Sequence, residues 1–364
     1  MSILARITSY EVTALTRKHI VLTTTYGKAK QEKTHIIVML EDEQGHRGYG
    51  EATPLSKFSG ETSDIVKLVL ERELLPLVLG LDSADIAVAH QCMDKHIYGN
   101  NAAKCAIDCA MYDLFAKTLQ VPLYKLLGGC VRKQVPINRH IGIESVEQAK
   151  SLALNYLKQG FQSIKMKVGN DIEEDSKRIW AVRDILGDSG RIRIDGNNGM
   201  SFSTASKLIE LVKECDLEFY EQLLPKWDLE GMRALHQKFG ISIATDEAVN
   251  SIQDAAQYAV AGAAEAFVIK LVKCGGLYPA LGIAALANSY RMPVIITSTY
   301  DTQIGCATCL HLACTLPNAN TACDLTAFAV QPEMAHMAHQ LNKMHMACGD
   351  APGIGVFNMQ DFTM

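Results

Sequence analysis

The 364-residue sequence predicts an α/β protein, a parallel (β/α) barrel joined to a smaller α+β domain. Three observations predict it. After Gly128 and Gly129, short apolar runs alternate with helical segments at a period near 25 residues. A charged residue recurs at the carboxyl end of successive runs. Before that glycine pair the rhythm differs, with strands first and helices grouped after them.

The opening segment, MSILARITSYEVTALTRK, and THIIVMLEDEQGHRGYGEA alternate apolar and polar residues around the turn EDEQGHRG, which predicts an antiparallel sheet. From about Asp64 to Leu127 the period becomes helical, clearest in AAKCAIDCAMYDLFAKTL. Eight strand candidates follow: 135–141, 163–168, 191–197, 217–222, 241–247, 266–271, 293–299 and 321–325. Strand and helix alternating in this way is the mark of βαβ units, and eight of them close a barrel. The tail from about Phe328 is rich in His and Met, including His336, His339 and His345, and reads as amphipathic helix surface. Its last segment, PGIGVFNMQDF, reads as an extended return across the first domain.

Composition narrows the function. Apolar residues make up 48% and charged residues 21%, ordinary for a chain with a large core. With net charge −5 and no basic tract, a nucleic-acid partner is not expected, and a small molecule is. No apolar run is long enough to span a bilayer, so no membrane partner is expected. Eleven cysteines without a secretory signal point to reduced thiols in a cytoplasm. The CxxC of Cys306 and Cys309 stands in an apolar helical stretch and reads as core. Neither GxGxxG nor GxxxxGK[ST] occurs.

The ionisable residues at the strand ends carry the chemistry. Lys165 and Lys167 lie in the second strand candidate, and Asp195, Glu221, Asp246 and Lys270 at the ends of the third to sixth. From Lys167 their successive separations are 28, 26, 25 and 24 residues, one group per βα unit on the face where barrel sites form. Three converging carboxylates demand a cation, and hard oxygen donors suit Mg²⁺, with Mn²⁺ as a substitute. Lys167 and Lys270, four strands apart, should flank a substrate and exchange a proton alpha to its carboxylate through an enediolate. Lys165 is expected to supply the like charge that lowers the Lys167 pKa. Asn197, Gln222 and Glu247 read equally as groups orienting the acids or as surface.

At these residues the sequence resembles the enolase superfamily, in particular the muconate lactonizing enzyme subgroup. GYGEATP, IKMKVG, RIDGNNG, FYEQLLP, ATDEA, IKLVKCGG and PGIG all look like family segments. The resemblance implies a TIM-like (β/α)7β barrel over 128–327. Residues 1–127 and the segment 328–364 would form an α+β capping domain whose loops near 17–30 and 50–60 close the site. It makes Lys167 and Lys270 the acid/base pair and Asp195, Glu221 and Asp246 the Mg²⁺ ligands, and it implies a homo-oligomer. The seventh strand reads TSTYD, without the histidine of mandelate-racemase-like members.

Within the subgroup, dipeptide epimerases resemble the chain most. Their eighth-strand DxD is here Asp324, Leu325, Thr326, so the resemblance gives ammonium binding to Asp324 with Thr326 beside it. Asp301 would assist, or cap a helix. Thr23 or Thr24 stands near the place of a substrate-holding arginine, with Lys28 and Lys30 following. The expected reaction is Mg-dependent inversion of a dipeptide's alpha carbon. The alternatives are a muconate-type cycloisomerase, an o-succinylbenzoate synthase or an N-acylamino acid racemase.

Overall fold

A computed structural model describes residues 6–19, 21–28, 30–325, 340–342 and 344–355. The N-terminal unit is an antiparallel sheet of β1 (Ile7–Lys18), β2 (Glu32–Asp42) and β3 (Arg47–Ala52), in the order β1-β2-β3. Alternation with one apolar face buries Ile36, Val38 and Leu40. Helices α1 (Ser63–Val69), α2 (Ile86–His96) and α3 (Asn101–Thr118) follow, and α3 lies against β3. The contact is close enough that a Cβ on Gly50 would fall inside the van der Waals radius of the Ala106 carbonyl oxygen. Only glycine fits there.

The larger unit is a seven-stranded parallel sheet in strictly sequential order. Its strands are β4 (Arg139–Ile141), β5 (Ser163–Lys167), β6 (Arg191–Asp195), β7 (Phe219–Glu221), β8 (Ile243–Thr245), β9 (Ala266–Ile269) and β10 (Val294–Ile296). The eighth position is held by Cys323 and Asp324, which bridge to Ile137 and Thr297 and so close the curl of the sheet. The first strand candidate divides: Gln134–Pro136 pairs elsewhere, and the barrel strand proper begins after it.

Helices α4 (Val146–Lys158), α5 (Ile172–Leu186), α6 (Phe202–Val212), α7 (Leu229–Phe239), α8 (Ile252–Ala261), α9 (Leu277–Ser289) and α10 (Gln303–Thr315) cover the outside. Six of them start on a residue whose own side chain accepts a backbone N–H of the first turn: Ser145, Asp171, Ser201, Asp228, Ser251 and Thr302. The exception is α9, which starts on Gly276. Cys306 and Cys309 are buried on α10, and neither is in a disulfide. No helix among the described residues is long and apolar enough to cross a membrane.

Period-two alternation sends every second strand residue into the barrel. Phe219, Ala244, Ala266, Val268 and Ile295 form an apolar cluster of their own, and Phe219, Ala244 and Val268 each lie two residues before a charged strand end. The tail corrects the helical reading where it is described. Gln340–Asn342 and His345–Ala347 form an antiparallel hairpin, and His345–Ala347 pairs with Gln134–Pro136 through the backbone. His336 and His339 lie outside the described residues. Further on, Gly353 bridges to Pro122 and the Ile354 N–H donates to Asp113 Oδ1 at 2.8 Å.

Candidate active site

The in-register parallel pairs Lys167 with Asp195 and Asp195 with Glu221 bring three predicted residues side by side at the carboxyl ends of β5, β6 and β7. Lys167 Nζ lies 2.5 Å from Asp195 Oδ2. On the other flank, Lys270 Nζ donates to Asp246 Oδ2. The two predicted amines therefore stand on different acids, with Glu221 on the strand between those acids.

Lys165 is the hub. Its Nζ reaches Glu221 Oε1 at 2.6 Å, Asp324 Oδ2 at 3.0 Å and Asp195 Oδ2 at 3.2 Å. Burial opposes its charge, but Asp324, Glu221 and Asp195 together hold its pKa well above the lysine range. Its charge is matched by three carboxylates, so it ties acids together.

Burial also opposes the charge of the acids. Lys167 and Lys165 nevertheless hold Asp195 well below the carboxylate range, and Lys270 and Lys273 hold Asp246 below it. Glu221 is different. Burial raises it to about 8, Lys165 offsets only part of this, and Asp195 and Asp246 push the same way. Its Oε2 is buried without a hydrogen-bond partner. The backbone beyond these acids turns sharply, with φ of 44° at Asn197, 60° at Asn198 and 35° at Gln222. Non-glycine residues hold such angles where surrounding contacts fix them.

The expectation that three acids already gather about one point is not met as the side chains stand. Among the described residues no three acidic, histidine or cysteine groups take a ligand arrangement, because each carboxylate is turned toward an amine. The donor set itself is hard oxygen, and Glu221 retains an unsatisfied buried oxygen amid like charges. Those features fit a divalent cation.

Asn197, Gln222 and Glu247 prove to be buried. Gln222 Oε1 accepts the Asp246 and Ala248 N–H groups at 3.0 and 3.2 Å, fixing the turn that carries Asp246. Glu247 is raised to about 7 by burial and by Asp246 and Asp195. Its Oε1 accepts from Tyr26 Oη at 3.0 Å and Asn197 Nδ2 at 3.2 Å.

The substrate-binding expectations fare differently. Asp324 is buried, and Asn138 donates to its Oδ1, while its Oδ2 meets Lys165 and lies 3.5 Å from His140 Nε2. Both oxygens thus meet side chains of the barrel wall. Asp301 does not cap α10, since Thr302 does. It accepts from Thr299 Oγ1 at 2.7 Å in a separate buried cluster with Glu51 and Lys33. Thr24 Oγ1 accepts the Tyr26 N–H at 3.1 Å and so shapes its own hairpin. Lys28 and Lys30 are exposed, and Thr326 lies outside the described residues.

Sequence reasoning missed three groups. Tyr26 reaches from the first capping loop to Glu247 and accepts from Asn198 Nδ2 at 2.8 Å. Phe58, from the second loop, places its ring 4.6 Å from Lys270 Nζ. Lys273 donates to Asp246 Oδ1 at 3.2 Å and to the Asp246 and Val268 carbonyls. Its spacing from Lys270 in IKLVKCGG was the one available signal.

A sequential parallel barrel beside an α+β unit, with acids and amines on successive strand ends, is the architecture of the enolase superfamily. Residues 7–128 match the mandelate racemase / muconate lactonizing enzyme N-terminal domain, and residues 147–360 match the enolase C-terminal domain-like family. The chain belongs to the mandelate racemase / muconate lactonizing enzyme family of that superfamily. A hydrophobic dipeptide epimerase of Enterococcus faecalis is 33% identical over 88% of this chain and 90% of that protein. An N-succinyl-L-Arg/Lys racemase of Bacillus cereus is 32% identical over 76% of each chain. The solved structure of the Enterococcus faecalis V583 dipeptide epimerase, complexed with Mg and L-Leu-L-Tyr, superposes with a TM-score of 0.91 at 31% identity. That match covers 97% of this chain and 100% of the other. These relatives are isomerases, and the present chain is an enzyme of the same kind.

Proposed function

We propose that the enzyme inverts the alpha carbon of a dipeptide by proton transfer between two lysines. The observation that carries the reading is a pair of amines held on separate acids, Lys167 on Asp195 and Lys270 on Asp246, with a third acid on the strand between. One neutral amine takes the alpha proton, and the C–H electron pair passes into the substrate carboxylate. The opposite ammonium then returns a proton to the other face, so configuration inverts and atoms balance.

Asp195, Glu221 and Asp246 would hold Mg²⁺, or Mn²⁺ in its place. When bound, the ion supplies positive charge to the substrate carboxylate. Lys165 holds Glu221 and Asp195 in place, Gln222 and Lys273 orient Asp246, Tyr26 holds Glu247, and the Phe58 ring lies against Lys270. The Mg and dipeptide complex of the Enterococcus faecalis relative supports the choice of ion and substrate class.

Incubation of an L,L-dipeptide library in D₂O with Mg²⁺ tests this. Alpha-deuterium with loss of optical purity is expected in some members, and its absence from all of them would remove the reading.

One observation favours a second reading, an N-acylamino acid racemase. Asp324 is surrounded by Lys165, His140 and Asn138 rather than open to an ammonium, which suits a substrate lacking a free amine. N-succinyl amino acids in the same assay distinguish the two, since turnover of these with none of the dipeptides would favour the racemase.

A further inference from the structure

The turn that follows Lys270 is assembled from both domains. Lys270 directly follows β9, a short helical turn runs over Leu271–Cys274, and Gly275 and Gly276 lead into α9 at φ of 99° and 122°. Every other long barrel helix, α4 to α8 and α10, caps itself with its own Ser, Asp or Thr side chain. At the start of α9 the residue is glycine, and it has no side chain to give. Asp108 of α3, in the N-terminal unit, fills the place. Its Oδ1 accepts the Leu277 N–H at 2.5 Å and its Oδ2 the Tyr278 N–H at 3.2 Å.

The fit is reciprocal. A Cβ on Gly276 would collide with the Asp108 carboxylate, so the glycine makes room for the incoming cap. Asp108 is fully buried, and His90 Nε2 lies 2.8 Å from its Oδ2, so the carboxylate is held from behind. At the first residue of the same helix α3, Asn101 Nδ2 donates to the Lys273 carbonyl at 2.8 Å. Lys273 in turn binds Asp246. Two side chains of one helix thus grip both ends of the 273–278 segment, three residues beyond the amine. A negative charge at a helix N-terminus is favourable, and a buried one left unpaired is costly, so this joint has one preferred geometry.

We propose that Asp108, supported by Asn101, is a positioning residue for Lys270: the N-terminal domain sets the backbone from which that amine reaches the substrate. The inference rests on the two-lysine reading above, and it predicts an asymmetry. Lys167 sits on β5, and none of the contacts of Asp108 touches that strand.

The test uses the full enzyme and reads alpha-deuterium exchange separately for the two epimers of a turned-over dipeptide. The face served by Lys270 is identified as the epimer whose exchange disappears in Lys270→Ala. Asp108→Asn is expected to slow exchange on that face by about 10-fold or more and on the other by less than about 3-fold, as misplacement of one reacting group does. Asn101→Ala, which keeps the buried carboxylate and is the safer variant for folding, should show the same asymmetry in smaller degree. Asp228→Ala removes the cap of α7 on another part of the barrel and should lower stability without changing the ratio. Equal losses on both faces in Asp108→Asn and Asn101→Ala would overturn the proposal.

A second arm does not depend on turnover. Backbone amide exchange over residues 271–278, followed by mass spectrometry, should accelerate in Asp108→Asn while residues 163–168 stay protected. Unchanged protection of 271–278 would overturn the proposal even if no dipeptide is a substrate, whereas acceleration in an enzyme that exchanges no dipeptide would sink the epimerase reading alone.

Discussion

Lys165 shows why a residue's type was easier to read than its task. The KxK spacing marks it as a charged group on the same strand face as Lys167, and says nothing of the acids it meets. Three carboxylates on three different strands match its charge. Removing it would leave buried acids uncompensated, so Lys165→Met should cost about 3–5 kcal/mol in chemical denaturation. A loss below about 1 kcal/mol would show that the acids neutralise themselves in some other way. The strand-end acids and lysines were legible because one charge per βα unit is a sequence-periodic signal. Tyr26 and Asp108 were not, since each reaches its partner across some 170 to 220 residues of chain and nothing local marks it.

Secondary elements were legible in proportion to their regularity. The sequential strands of the barrel followed from apolar runs at a steady spacing. The divided first strand and the tail hairpin did not, because edge pairing between residues 134–136 and 345–347 is a long-range event that periodicity does not register. The packing of α3 on β3 depends on another local detail, the missing side chain at Gly50. Gly50→Ala would press a methyl group into the Ala106 carbonyl, and a loss of about 3 kcal/mol in unfolding free energy is expected from overpacking. A melting temperature equal to that of the parent would mean that the helix and sheet can separate at little cost.

Across the whole molecule, the N-terminal unit does more than roof the barrel. Glu51 of β3 accepts the Thr302 N–H at 2.9 Å, the Thr302 hydroxyl at 2.6 Å and the Gly305 N–H at 2.9 Å, adding a second cap to α10 from the other domain. Against the opposing effect of burial, His35 and Thr302 hold its pKa at about 2, so this joint stays ionised through the neutral range. Ion binding should likewise be felt globally. Saturating Mg²⁺ at roughly 100 times its dissociation constant should stabilise the parent by about 2.7 kcal/mol in thermal unfolding. It should stabilise Glu221→Gln less, and chelation should abolish turnover reversibly. An equal shift in both proteins would place the ion elsewhere.

Two amines working from opposite faces are most directly tested by stereospecific exchange in the single-lysine variants. Lys167→Ala and Lys270→Ala should each fail to invert a dipeptide's alpha carbon, yet each should retain deuterium exchange from one epimer, and the two variants should choose opposite epimers. Inversion by both variants, or exchange of the same epimer by both, would contradict the assignment.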